Sequence, residues 1–172
     1  FMKIIRYFVE FIFITVFFLI FKIIGYKNAS NLGAIIGKKF GPFFRSNSKI
    51  IDNLKKTDIG FSPEDRKQII NNMWENYGRI LSEYMFLSQF RENNLSHFLE
   101  IKGLNFLEEI KKQNEQAVFI SGHFNNFELM AMTIEKAGIN LSAIYRPLNN
   151  PFLNIVMERL RKKYICKNQI KK

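Results

Sequence analysis

The sequence predicts an α/β chain led by an apolar membrane helix and a helical region. Three observations carry this. An apolar stretch of bilayer length opens the chain, a well-capped amphipathic helix follows in its middle, and strand- and helix-like runs alternate after Gly103.

The opening stretch, residues 4–24, reads IIRYFVEFIFITVFFLIFKII. At 1.5 Å per residue a helix of this length spans a hydrocarbon core. Arg6, Glu10 and Lys22 interrupt it, and the unbroken core is Phe11–Phe21. A single span and a helix lying in the interface, with Glu10 and Lys22 reaching to headgroups, both remain open. A cleaved signal peptide is disfavoured, because no small-x-small site follows. Lys22, Lys27, Lys38 and Lys39 outnumber the basic residues before the stretch, so the body of the protein is expected on the cytoplasmic side.

The 172 residues suffice for one modest core, and 47% of them are hydrophobic, which excludes a disordered chain. The 26 basic residues against 15 acidic ones give a net charge of +11 and point to an anionic partner. The apolar amino terminus favours a lipid surface over nucleic acid, for which no binding motif is present. Cys166 is the single cysteine, has no activating His or acid nearby, and reads as structural.

Gly33, Gly37 and Gly41 recur every four residues, as in a close helix-packing face, although a re-entrant hairpin shows the same pattern. Ser62-Pro63-Glu64-Asp65 is a helix start with its cap, its first-turn proline and its acids. The helix is expected from Pro63 to about Leu87, with Ile69, Met73, Tyr77, Ile80 and Tyr84 as its apolar stripe. Beyond Gly103 the spacing predicts a helix over Leu104–Gln113, a buried parallel strand at Ala117–Ile120, and a helix over Asn126–Lys136 stopped by Gly138. A strand at Leu141–Tyr145 and a helix over Pro151–Lys163 complete a βαβ unit. The domain reading is an anchor at 1–27, a helical part at 28–100 and an α/β part at 101–172.

His123 falls at the carboxyl end of the first predicted strand, where α/β proteins place ligands. Glu128 lies five residues on, in the first turn of the next helix. A strand-to-helix turn can bring them together, the acid orienting an imidazole that acts as general base. Gly122 permits a tight approach to a ligand, and Asn125 and Asn126 suit a helix amino terminus whose N–H groups can face an oxyanion. Spacing alone leaves a second reading open, in which His123 is a buried polar residue and Glu128 complements the helix dipole. No set of metal ligands is expected.

The wider string, Ser121-Gly-His-Phe-Asn-Asn-Phe-Glu-Leu129, closely resembles the His-x4-Asp/Glu block of the lipid A biosynthesis (lauroyl/myristoyl-type) acyltransferases, with Asn125 where the family has Gly. Tyr145-Arg146-Pro147-Leu148-Asn149-Asn150-Pro151 is similar to the family's Tyr-Arg-Pro-x-x-Asn-Pro segment. Asn53-Leu54, Trp74, Tyr77-Gly78-Arg79 and Glu83 are similar as well. The resemblance implies a partial glycerolipid-acyltransferase-like αβα domain at the inner membrane, with no cofactor. It implies transfer of a fatty acyl chain from an acyl carrier protein thioester to a Kdo2-lipid IVA-type glycolipid acceptor in lipopolysaccharide biosynthesis. His123 and Glu128 would be catalytic, and Arg146, Asn126 and Gly122 would bind substrate. Arg146 would grip a phosphate or an oxyanion, or else form a salt bridge under the turn. Ser121 is not expected as a nucleophile, since direct transfer needs no acyl-enzyme.

Coenzyme A as donor and a phosphatidylinositol mannoside as acceptor are the alternatives. The family's later Asp-Gln and Phe-Phe-Gly-like elements are missing, no acid follows Glu158, and the chain starts at Phe1 rather than Met. The expectation is therefore a carboxyl-truncated member, with an inactive membrane-anchored remnant as the competing reading.

Overall fold

The computed structural model describes residues 2–44, 46–57 and 59–172, so the start at Phe1 lies outside it. The chain is mostly helical with a small sheet, and it divides into two compact units. One holds the first 19 residues together with Met85–Lys172, the other Ile20–Tyr84.

Helix α1 covers Met2–Ile24 and is long and apolar enough to cross a membrane, which is compatible with anchoring. It ends at Gly25, whose φ of +79° is left-handed and costs glycine little. Glu10, which the interfacial reading places among headgroups, accepts from the Asn150 amide at 3.2 Å and pairs with Arg6 at 3.3 Å. The same amide donates to the Tyr7 carbonyl at 2.8 Å, and Phe8 and Phe11 pack on Phe152. A carboxylate in an apolar helix is costly unless paired, and these contacts supply the partners.

In the second unit, α2 (Tyr26–Phe44), α3 (Asn47–Lys55) and α4 (Pro63–Glu83) form the core. Helices α2 and α4 run antiparallel in contact along the glycine stripe. A Cβ on Gly33 would meet Ser82 Oγ at 2.6 Å, one on Gly37 would meet Gly78 Cα at 2.9 Å, and one on Gly41 would enter the Trp74 ring. Close packing of this kind needs small residues on both helices. Gly78 supplies the α4 side, facing the Gly33 backbone. Replacing Gly78 by alanine is expected to destabilise the chain by about 2–3 kcal/mol, as overpacked interfaces do. Chemical denaturation of the detergent-solubilised protein measures this, and an unchanged midpoint would contradict the close approach.

The α4 cap forms as expected: Ser62 Oγ accepts from the Asp65 N–H at 3.1 Å, and the Asp65 carboxylate accepts from the Ser62 N–H at 3.1 Å. The Ser62 hydroxyl, which donates to the Asp65 carboxylate at 2.8 Å, and then the Ser62 N–H hold that carboxyl below its usual pKa. Ile80 and Tyr84 of the expected stripe are buried and Met73 packs on the core, but the rest of the buried face is shifted. Ile70, Trp74, Ile80 and Ser82 face inward, whereas Tyr77 is 47% exposed. The glycine groove sets this rotation, because α4 turns Gly78 toward α2 and one turn either side follows it. The helix also stops at Glu83, and a 3₁₀ turn (Tyr84–Phe86) leads into α5 (Leu87–Arg91).

In the first unit, α6 (Leu104–Gln113) has the expected bounds, set by left-handed Gly103 and Asn114. Helix α7 covers Glu128–Lys136 and ends before Gly138, whose φ is +87°. Strand β1 (Ser142–Tyr145), α8 (Pro151–Leu160) and β2 (Asn168–Lys171) form a βαβ unit, with the two strands parallel and Ser142 opposite Asn168.

The strand expected at Ala117–Ile120 is not formed. Val118 is 89% and Ile120 90% exposed, and no strand partner is present among the described residues. An apolar strand of this kind needs cover on both faces, which a two-stranded ribbon lacks. The observed βαβ unit is thus one step later than expected. It includes β2, from a tail that reads as a solvated basic segment. The core lies between α5, α7 and the Arg161–Ile165 turn, where Phe86, Leu87, Phe90, Met132 and Ile165 are nearly inaccessible. The Arg91–Glu135 ion pair at 2.7 Å ties α5 to α7. Cys166 is fully buried and its S–H donates to the Leu141 carbonyl at 2.9 Å. Burial pushes this thiol up, as suits a structural cysteine.

Candidate active site

The 115–127 segment, α7, β1 and the Arg161–Ile165 turn enclose an open cavity of about 1080 Å³. Its apolar lining residues include Val118, Phe119, Met130, Ile134 and Leu141, and its polar ones Ser121, His123, Glu128, Arg146 and Arg161.

Three of the five expected site residues therefore line one cavity: His123, Glu128 and Arg146. Gly122 and Asn126 flank it without lining it. A Cβ on Gly122 would meet Phe124 Cε2 at 2.5 Å, so a larger residue would disturb the approach to His123. The Asn126 carbonyl accepts from the Leu129 N–H at 3.1 Å in the first turn before α7 proper.

Asn125 has φ +44°, in the left-handed region. Glycine occupies that region freely and asparagine is the next most tolerant residue. The turn that aims His123 thus has one backbone geometry that either residue supports. Asn125→Val is expected to lower stability by about 1–2 kcal/mol, and Asn125→Gly to leave it nearly unchanged. Thermal melting of the two variants side by side measures the difference. Equal melting would contradict the left-handed turn.

His123 is exposed at the cavity rim, its ring 4.4 Å from that of Phe127. Glu128 is 6% exposed and is the first residue of α7. Its Oε1 accepts from Arg161 Nε at 2.8 Å and also from Nη2. The carboxylate is therefore directed to a guanidinium rather than to the imidazole. Arg161 in turn lies over the Tyr145 ring at 5.7 Å. Arg146 is exposed and lines the cavity, and among the described residues no ion pair holds it. Ser121 Oγ donates to the Gly122 carbonyl at 3.2 Å and makes no link to His123.

Arg161 is the site residue that sequence reasoning missed. It reads as one more basic residue of the tail. A signal exists, however. Met157, Arg161 and Ile165 stand four apart, and the outer two are buried. A cation on the apolar face of a helix needs a buried acid, and Glu128 is the acid it meets.

An imidazole at the rim of a half-apolar cavity, above a buried carboxylate–guanidinium pair, has the makings of a group-transfer site for an amphipathic substrate. Residues 2–167 match the family of bacterial lipid A biosynthesis acyltransferases, and the chain belongs to that family. It is 24% identical over 106 residues to lipid A biosynthesis acyltransferase 2 of Shigella flexneri, an alignment covering 60% of this chain and 33% of that protein. The aligned part thus spans about a third of that relative's length. No solved structure is significantly similar.

Proposed function

We propose that this chain carries the catalytic base of an enzyme that transfers a fatty acyl chain from an acyl carrier protein thioester to a Kdo2-lipid IVA-type acceptor. The observation that carries this reading is the gathering of His123, Glu128 and Arg146 on one cavity in a chain of this family.

In the step proposed, His123 takes the proton of an acceptor hydroxyl, either on the sugar or on an acyl chain already attached. The oxygen attacks the thioester carbonyl, forming the new ester C–O bond. The C–S bond breaks, and the thiolate takes the proton back from the imidazolium. Arg146 meets negative charge, from an acceptor phosphate or from the oxyanion of the tetrahedral intermediate. Asn126 and Gly122 keep the amino end of α7 close to the reacting carbonyl. Glu128 acts on His123 once substrate draws the imidazole inward, while Arg161 holds the carboxylate in place. The apolar wall takes the acyl chain. Helix α1 holds the site at the cytoplasmic face of the inner membrane.

The test is direct. Membranes from cells expressing residues 1–172 are incubated with labelled acyl carrier protein thioester and a lipid A precursor, and labelled lipid is resolved by chromatography. Label in the precursor is the expected result. Transfer only from coenzyme A, or only to an inositol mannoside, would overturn the donor or the acceptor respectively. No transfer from either donor to either acceptor would overturn the activity of this chain.

A further inference from the structure

A second cavity, in the α2–α4 unit, carries a different chemistry. It is about 470 Å³ and is lined by Asn31, Ile35, Lys38, Lys39, Glu75 and Arg79, with Ala34 at its base. Three cations face one acid. Arg79 belongs to the Tyr77-Gly78-Arg79 string, which the proposed transfer reaction does not use.

Arg79 is held in place before any ligand arrives. Its Nη1 donates to Asn31 Oδ1 at 2.9 Å and to Ser30 Oγ at 3.2 Å. Ser30 is fixed in turn by donating to the buried Glu83 carboxylate at 2.8 Å. Glu83 also accepts from Tyr26, whose pKa burial and this acid push up to about 12. Arg79 Nε and Nη2 are left without a protein acceptor among the described residues. A guanidinium fixed on one side with donors open on the other is suited to binding phosphate in a forked, charge-assisted way.

The surroundings indicate where that phosphate comes from. Helix α2 has no acidic residue, and Ile35, which lines the pocket, and Phe40 and Phe43 on the same helix are 63%, 47% and 84% exposed. Lys39 Nζ sits 5.7 Å over the Phe40 ring. Exposed apolar residues next to basic ones are the signature of a helix face that lies at a lipid interface.

We infer that this pocket binds the phosphate of an anionic lipid headgroup, apart from the proposed acyl-transfer site. Glu75 pairs with Lys38 at 2.8 Å and opposes an incoming anion, so it weakens the site and keeps it selective for a strongly charged headgroup.

The experiment titrates the full chain, in uncharged detergent, with short-chain phosphatidic acid followed by phosphorus NMR. Inorganic phosphate and short-chain phosphatidylcholine are the comparison probes. Saturable binding of phosphatidic acid is expected, at least about tenfold weaker in Lys39→Gln and in Arg79→Lys. Lys39 is exposed, so its variant folds normally; Arg79→Lys keeps the charge and loses the fork. Glu75→Gln is expected to tighten binding, which an anion held at the cavity of His123 and Arg146 would not show. Inorganic phosphate binding as tightly as the lipid would overturn the lipid assignment. Equal affinity in both pocket variants, or no saturable binding, would overturn the site.

Discussion

Replacing His123 by alanine is expected to reduce acyl transfer by roughly 10²- to 10⁴-fold, the usual contribution of a positioned general base. The chain's stability should be nearly unchanged. The imidazole is exposed and lies near the Phe127 ring, so truncation opens no void in the core. That combination distinguishes a chemical role from a structural one. The measurement pairs the labelled-lipid assay with thermal melting of the same preparation. Transfer that persists at wild-type rate in His123→Ala would sink the mechanism. A large loss of melting temperature would instead mark His123 as a packing residue.

Truncating Arg161 is expected to act in the opposite way, through stability first. The Arg161 side chain is 15% exposed and that of its partner Glu128 8%, so Arg161→Ala leaves a carboxylate buried without its cation. Breaking a buried pair from one side costs about 3–5 kcal/mol, most of it the desolvation of the charge left behind. Denaturant unfolding should show this loss. Arg161→Met combined with Glu128→Leu removes both charges and keeps the volume, and should recover most of the stability. A single-variant loss below about 1 kcal/mol, the scale of an exposed pair, would mean that the two charges are solvated. Because Glu128 is also proposed to act on His123, the double variant should be stable yet inactive.

Much of the local structure was legible in the sequence because it depends on short-range chemistry. The Ser62 cap of α4, the bounds of α6, the stop at Gly138 and the start of α8 at Pro151 each follow from two to four adjacent residues. The Gly33-Gly37-Gly41 stripe was legible as a packing face. Its partner Gly78 was not, because an isolated glycine on another helix carries no mark of what it faces. The candidate site was half legible. His123, Glu128 and Arg146 stand out through their local strings, and the structure gathers them on one cavity.

Local sequence was enough to place the starts of α4, α6 and α8, the stop of α7, the long apolar helix, and Asn125 at a turn where the family has Gly. Those outcomes rest on backbone preference, capping and hydropathy, which act within a few residues. Long-range packing settled the rest. It left Ala117–Ile120 outside the sheet, paired a strand from the basic tail with β1, turned Glu10 to Asn150, and gave Glu128 to Arg161. Each of these depends on which distant group is near enough to cover an apolar face or to neutralise a buried charge. Hydropathy states that such cover is needed, and the fold alone selects the residue that provides it.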